Sequence, residues 1–131
     1  MYGEVKENNE LVYASDLVNS YAWDTAIIFI QTYSTETDAS SYASQNKSTS
    51  FANTGKSNDK YCNIFDMSGN ADEWTTEYST KSDYSNFYPC VNRGGYYNAD
   101  RGDAYNYTSY RGIYTANSYS SNRLRSLLYV K

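Results

Sequence analysis

The chain is predicted to be α+β, with one helix followed by small, irregular sheets in a loop-rich fold. Three observations carry this reading. Apolar residues recur at helical spacing in one stretch, 17–31. A polar stretch follows, roughly 34–60, dense in Ser, Thr, Asn and Gly. From Tyr61 onward, short apolar runs alternate with Gly- and Asn-containing turns. A length of 131 residues fits a single domain spanning 1–131.

Composition bounds the core. Leu, Ile, Val and Phe number 19 together, a share that would normally signal disorder. The net charge is only -4, however, and 17 tyrosines supply apolar area that the aliphatic count misses. The expected core is therefore small and aromatic. The acidic pI near 4.7 leaves no electrostatic footprint for nucleic acid. The longest apolar run, Ala26 to Ile30, is far too short for membrane insertion. The two cysteines, Cys62 and Cys90, can form one disulfide or remain thiols.

Each element has its own signal. In 17–31, Trp23, Ala26, Ile27 and Ile30 fall at i, i+3, i+4 and i+7 on one helix face. Asn19 or Ser20 can cap the start, since their side-chain oxygens accept orphan amide hydrogens. The loop 34–60 has room for a short helix around Ala39–Gln45, and its length makes it a secondary candidate for contact. Strands are expected at Asn63–Met67 and Glu73–Glu77, flanking the turn Ser68-Gly69-Asn70. Val91–Arg93 leads into Gly94-Gly95, where a bulge or close backbone approach is expected. Leu124–Val130 reads as a final buried strand.

The most specific segment is Asn63 to Thr75, NIFDMSGNADEWT. Asp66 and Glu73 are hard anionic oxygens separated by a Gly-containing turn, and such a loop can wrap carboxylates and carbonyls around Ca²⁺. A tight turn in which Asp66 caps backbone amides explains the same residues.

FDMSGNADEWT resembles the Gly-Asn-x-x-Glu-Trp motif of the formylglycine-generating-enzyme (sulfatase-modifying factor) family. Three further segments resemble the family's in the same order. Leu17 to Asp24 is similar to its helix start, with Trp23 in register. Asn92-Arg93-Gly94-Gly95 is similar to its Arg-Gly-Gly strand. Arg123-Leu124-Arg125 with Leu127–Val130 is similar to its closing segment. The resemblance spans about 17–131 and implies a C-type-lectin-like fold in a short version. It also implies a calcium loop, with side chains at Asp66 and Glu73 and carbonyls at Gly69 and Ala71 as donors. The family's oxidase activity is not implied. Its two cysteines would fall close to Ala99 and Ala104, and alanine offers no thiolate for metal or redox work. With no histidine in the chain, Ser-His and Cys-His nucleophile pairs are also missing. The expectation is a protein that is not an enzyme. A degenerate metal-binding enzyme is the alternative, and a structural phage tail or adhesin domain is another.

Tyr96 to Asn122 holds seven Tyr, four Asn, four Ser and two Asp in 27 residues. Tyrosine gives amphipathic contact area at low rotamer cost, and Ser and Asn adapt their hydrogen bonding, as in antibody paratopes. A tyrosine-rich sheet edge accounts equally well for composition alone. A second property separates them. The segment lacks Lys, Glu, Gln, Met and Trp, which fill 18 of the other 104 positions. An Asn codon altered only at its adenines yields Tyr, Ser, Asp, Thr, Gly, Ala, Ile or Arg, but none of the five missing types. The segment thus resembles the variable region of a diversity-generating-retroelement target protein. The implied role is binding a protein or glycan ligand from a phage virion or bacterial cell surface. The expected contacts are Tyr96, Tyr97, Asn98, Asp100, Arg101, Asp103, Tyr105, Asn106, Tyr107, Tyr114, Asn117 and Tyr119. Gly95, Arg111 and Gly112 read as scaffold within the run. Arg101-Gly102-Asp103 matches a cell-adhesion tripeptide, and Asn46-Lys47-Ser48 and Asn106-Tyr107-Thr108 match glycosylation sequons. Matches this short carry little weight.

Overall fold

The computed structural model describes residues 3–8, 10–48, 50–80, 88–97, 107–115 and 122–130. The fold is α+β. Strands β1 (Gly3–Glu7) and β2 (Glu10–Leu17) form an antiparallel hairpin, and α1 (Ser20–Tyr33) follows. A 3₁₀-helix, Ala39–Ser44, sits close to the short helix expected there. Then come β3 (Lys60–Tyr61), β4 (Ile64–Phe65), β5 (Asp72–Tyr78), β6 (Cys90–Arg93), β7 (Arg111–Tyr114), β8 (Asn122–Leu124) and β9 (Ser126–Val130).

The helix begins three residues later, and ends two residues later, than the stretch 17–31 expected for it. Leu17 is the last residue of β2 and pairs with Ser126 of β9. Asn19 then caps α1, its side chain accepting the Ala22 amide at 2.8 Å. Trp23, Ile27 and Ile30 are buried as their spacing requires, and Val18, Ala39, Tyr42, Tyr61 and Met67 complete the core. Two tyrosines and a tryptophan thus do work that aliphatics do in larger domains, with the Tyr42 and Tyr61 rings 4.8 Å apart.

Among the described residues three sheets result, ordered β1-β2-β9, β3-β4 and β7-β6-β5-β8. In the third, only β5 and β8 pair parallel. The expected strand Asn63–Met67 shortens to β4 because Cys62, Asn63 and Asp66 all have positive φ. The expected final strand is broken at Arg125, where the chain leaves the third sheet for the first. The Arg125 carbonyl accepts the Val18 amide at 2.9 Å and pins that crossing beside the helix cap. Among the described residues, no helix is long and apolar enough to cross a membrane.

Candidate functional site

Two neighbouring regions carry the residues singled out from the sequence. The first is the turn between β4 and β5. Asp66, Gly69 and Asn70 have positive φ, at 57°, 81° and 64°. Gly69 is required twice over: a Cβ there would strike the Asn46 side-chain oxygen and come within 3.0 Å of the Ser48 Cβ. The Gly69 amide donates to the Gly94 carbonyl at 3.0 Å, joining this turn to the Gly-Gly end of β6. Asn70 pairs with Ala52 in both directions, at 2.8 and 3.1 Å, and so ties down the long loop.

The four expected calcium donors are engaged as follows. Asp66 accepts from the Gly55 amide and the Ser57 hydroxyl, the capping role foreseen as the alternative. The Gly69 carbonyl accepts the Ala71 amide at 2.8 Å. Ala71 is buried. The Glu73 carboxylate is gripped by Arg125, Nε to Oε2 at 2.7 Å and Nη2 to Oε1 at 2.9 Å. Burial nonetheless pushes the Glu73 carboxyl up to about 6, because the guanidinium only partly offsets the loss of water. Among the described residues, no three His, Cys, Asp or Glu side chains group as a metal site. As arranged, the loop does not fit Ca²⁺ at Glu73 unless the guanidinium is displaced.

Behind this turn, Asp59 is fully buried and has no cationic partner in its hydrogen-bond set. Both its oxygens accept from the Tyr42 hydroxyl at 2.8 Å, and Oδ2 also accepts the Ser68 amide at 2.6 Å. Burial raises the Asp59 carboxyl above its ordinary range, and burial beside Asp59 raises the Tyr42 phenol.

The second region is the face formed by β6, β7 and the residues flanking them. Gly94 and Gly95 have positive φ, and a Cβ on Gly94 would press on the Trp23 ring and the Met67 carbonyl at 3.0 Å. The chain therefore enters the tyrosine-rich segment from a glycine seat on the core tryptophan. Tyr96 and Tyr97 stand edge to face, 6.1 Å apart, and Tyr97 meets Phe51 in the same way at 6.2 Å. Tyr97 is 37% exposed and Phe51 46%. Tyr107 opens a turn whose Thr108 is buried against the Gln45 carbonyl and whose carbonyl takes the Trp23 indole N–H at 3.1 Å. Tyr114 packs edge-on to Trp74 at 6.3 Å, and its hydroxyl lies 3.3 Å from that of Tyr110.

Of the expected contacts, Tyr96, Tyr97, Tyr107 and Tyr114 are thus placed. Asn98, Asp100, Arg101, Asp103, Tyr105, Asn106, Asn117 and Tyr119 lie outside the described residues, as do Ala99, Ala104 and the Arg101-Gly102-Asp103 tripeptide. The scaffold assignment of Gly112 has a cause: a Cβ there would strike Asn92 and fall 2.5–2.6 Å from Tyr114 and Tyr110. Arg111 pairs with Glu77 at 3.2 Å. Asn46 of the first sequon uses its amide on the Tyr96 carbonyl and the Ser48 N–H. Cys62 and Cys90 are free thiols.

Two features escaped the sequence reading. A cleft of about 710 Å³ runs between the Phe51–Thr54 loop and the 122–126 segment, with Trp74 in its wall and Arg123 stacked on Phe51 at 4.8 Å. Asn92, opposite Gly112 on one side and Trp74 on the other, is fully buried with neither amide atom hydrogen-bonded. An isolated Phe in a polar loop was the one signal for the cleft; nothing local marks Asn92. Compared with protein-family models, curated proteins and solved structures, the chain matches none.

Proposed function

We propose that this domain is a receptor-recognition module that presents a diversified Tyr/Asn/Ser-rich surface on a short C-type-lectin-like scaffold, with a protein or glycan as ligand. The observation that carries the reading is how the tyrosine-rich segment is hung. Its described ends are anchored by buried Gly95, Thr108 and Gly112, while Tyr96, Tyr97, Tyr107 and Tyr114 remain partly accessible, with Tyr97 and Tyr114 packed on the cleft residues Phe51 and Trp74. Fixed anchors with accessible aromatic side chains are what a surface needs if its contacts vary while its fold does not.

The scaffold part rests on the meeting of the four segments that resemble the formylglycine-generating-enzyme family. Trp23 touches Gly94; the Gly69 amide bonds the Gly94 carbonyl; Arg125 grips Glu73 and lies over the Trp23 ring at 5.6 Å. Segments far apart in sequence that share one contact point constrain one another, which is the logic of a scaffold. The diversification part rests on the five residue types absent from 96–122.

Sequencing the DNA around the coding region tests the diversification directly. The expected result is a near-copy of the 3′ coding segment, differing only opposite adenines, beside a reverse-transcriptase gene. A flanking region with neither overturns that part of the reading.

A further inference from the structure

Arg125 is held by three residues through its Nε and Nη2 atoms. Its Nη2 atom alone has three oxygen neighbours from three residues: the Phe65 carbonyl at 2.9 Å, the Asp66 carbonyl at 3.1 Å and Glu73 Oε1 at 2.9 Å. Nε adds Glu73 Oε2 at 2.7 Å, and the guanidinium carbon lies over the Trp23 ring, 5.6 Å from its centroid. Two carbonyls and a carboxylate converging on one point is an oxygen arrangement suited to a cation. Ca²⁺ prefers such oxygens, at roughly 2.3–2.6 Å. The chain fills that point with its own nitrogen.

We propose that Arg125 supplies the cation of the β4–β5 loop from within the chain, so that the domain folds without Ca²⁺ and the loop becomes a divalent-cation site only when Arg125 is removed. This inference does not depend on what the tyrosine surface binds. Its physical basis is exclusion at one donor: a guanidinium and a calcium ion cannot both take the Glu73 carboxylate, and at this point the Phe65 and Asp66 carbonyls stand where the calcium loop would use those of Gly69 and Ala71. The tethered charge also carries no dissociation equilibrium, so the loop stays closed at any calcium concentration. Because Arg125 sits where the chain crosses from β8 to β9, the same side chain ties the loop, the helix tryptophan and the closing strand together.

The test is thermal unfolding of the full chain and of Arg125→Ala and Arg125→Lys, each in EDTA, in millimolar CaCl₂ and in millimolar MgCl₂. The wild type should melt at one temperature in all three. Arg125→Ala leaves a buried carboxylate and two carbonyls without a donor, so its Tm should fall by on the order of 10 °C in EDTA. Ca²⁺ should recover a few degrees of that loss, and Mg²⁺ less, since Mg²⁺ demands closer octahedral ligands. Arg125→Lys, which keeps a positive charge but loses the fork, should lie between and ignore Ca²⁺. If Arg125→Ala does not fold in EDTA, recovery of the native near-ultraviolet spectrum on adding Ca²⁺ supports the proposal, and failure to recover overturns it. Calorimetric Ca²⁺ binding by the wild type that is lost in Glu73→Gln also overturns it.

Discussion

The β4–β5 turn and the β6–β7 face lie side by side, and the buried carboxylates around the one and the buried Asn92 amide in the other are treated in opposite ways. In and behind the turn, Asp59, Asp66, Ser68, Asn70 and Glu73 are buried, and each of these side chains is hydrogen-bonded or ion-paired. On the face, Asn92 is buried just as deeply, yet neither its Oδ1 nor its Nδ2 has a partner. Saturated groups lock one backbone course, whereas an unsatisfied amide lowers stability without specifying anything. The difference lies in what holds each position: hydrogen bonds around the turn, packing alone at the Asn92 side chain. It also accounts for where large effects of substitution should fall.

The largest effect is expected at Asp59. Asp59→Ala leaves the Tyr42 hydroxyl and the Ser68 amide unbonded in the core, which should cost about 3 kcal/mol by urea denaturation at neutral pH. Asp59→Asn keeps an acceptor and should cost much less. The pH dependence follows from the raised carboxyl. Folded Asp59 takes up a proton more readily than unfolded Asp59, so its contribution is most favourable at low pH. That contribution declines as pH rises from the ordinary value of 3.8 through the folded value. Asp59→Asn should lack this component, and an unchanged pH profile would show that the buried carboxyl is not its source.

A smaller effect of opposite sign is expected at Asn92. Asn92→Leu removes two unbonded polar atoms while keeping the branched shape, and should raise the free energy of unfolding by about 1 kcal/mol in urea. A fall instead would show that the amide is satisfied, and the contrast between the two regions would lose its sharpest element.

How much of this was legible in the sequence depends on the range of the interactions. The α1 face, the Asn19 cap, the 3₁₀-helix and the Ser68-Gly69-Asn70 turn rest on neighbours within about one turn of chain, and they stand where the pattern put them. The β1–β2 hairpin was missed because Gly3–Glu7 is mostly charged and Glu10–Leu17 does not alternate cleanly, so neither strand carries a period-2 pattern. The break at Arg125 was missed for a different reason. Arg125 bonds Phe65, Asp66 and Glu73 across more than fifty positions, and no local pattern encodes where a guanidinium ends up. The candidate site was legible as composition, while its anchors at Thr108 and Gly112 required the fold. The parallel β5–β8 pair, also non-local, left no trace.

The smallest stability effect, paired with the largest effect on binding, is expected on the tyrosine surface. The direct measurement is a comparison of the wild type with the triple variant Tyr105→Ala, Tyr107→Ala and Tyr119→Ala. Each would be tested for binding to a panel of intact bacterial cells and to a glycan array, with the melting temperature read in parallel. The account predicts that the wild type binds some member of the panel and that the variant loses this binding by about 30-fold or more. It also predicts a melting temperature lower by no more than a few degrees. A variant that melts far lower, or that binds as the wild type does, would contradict it.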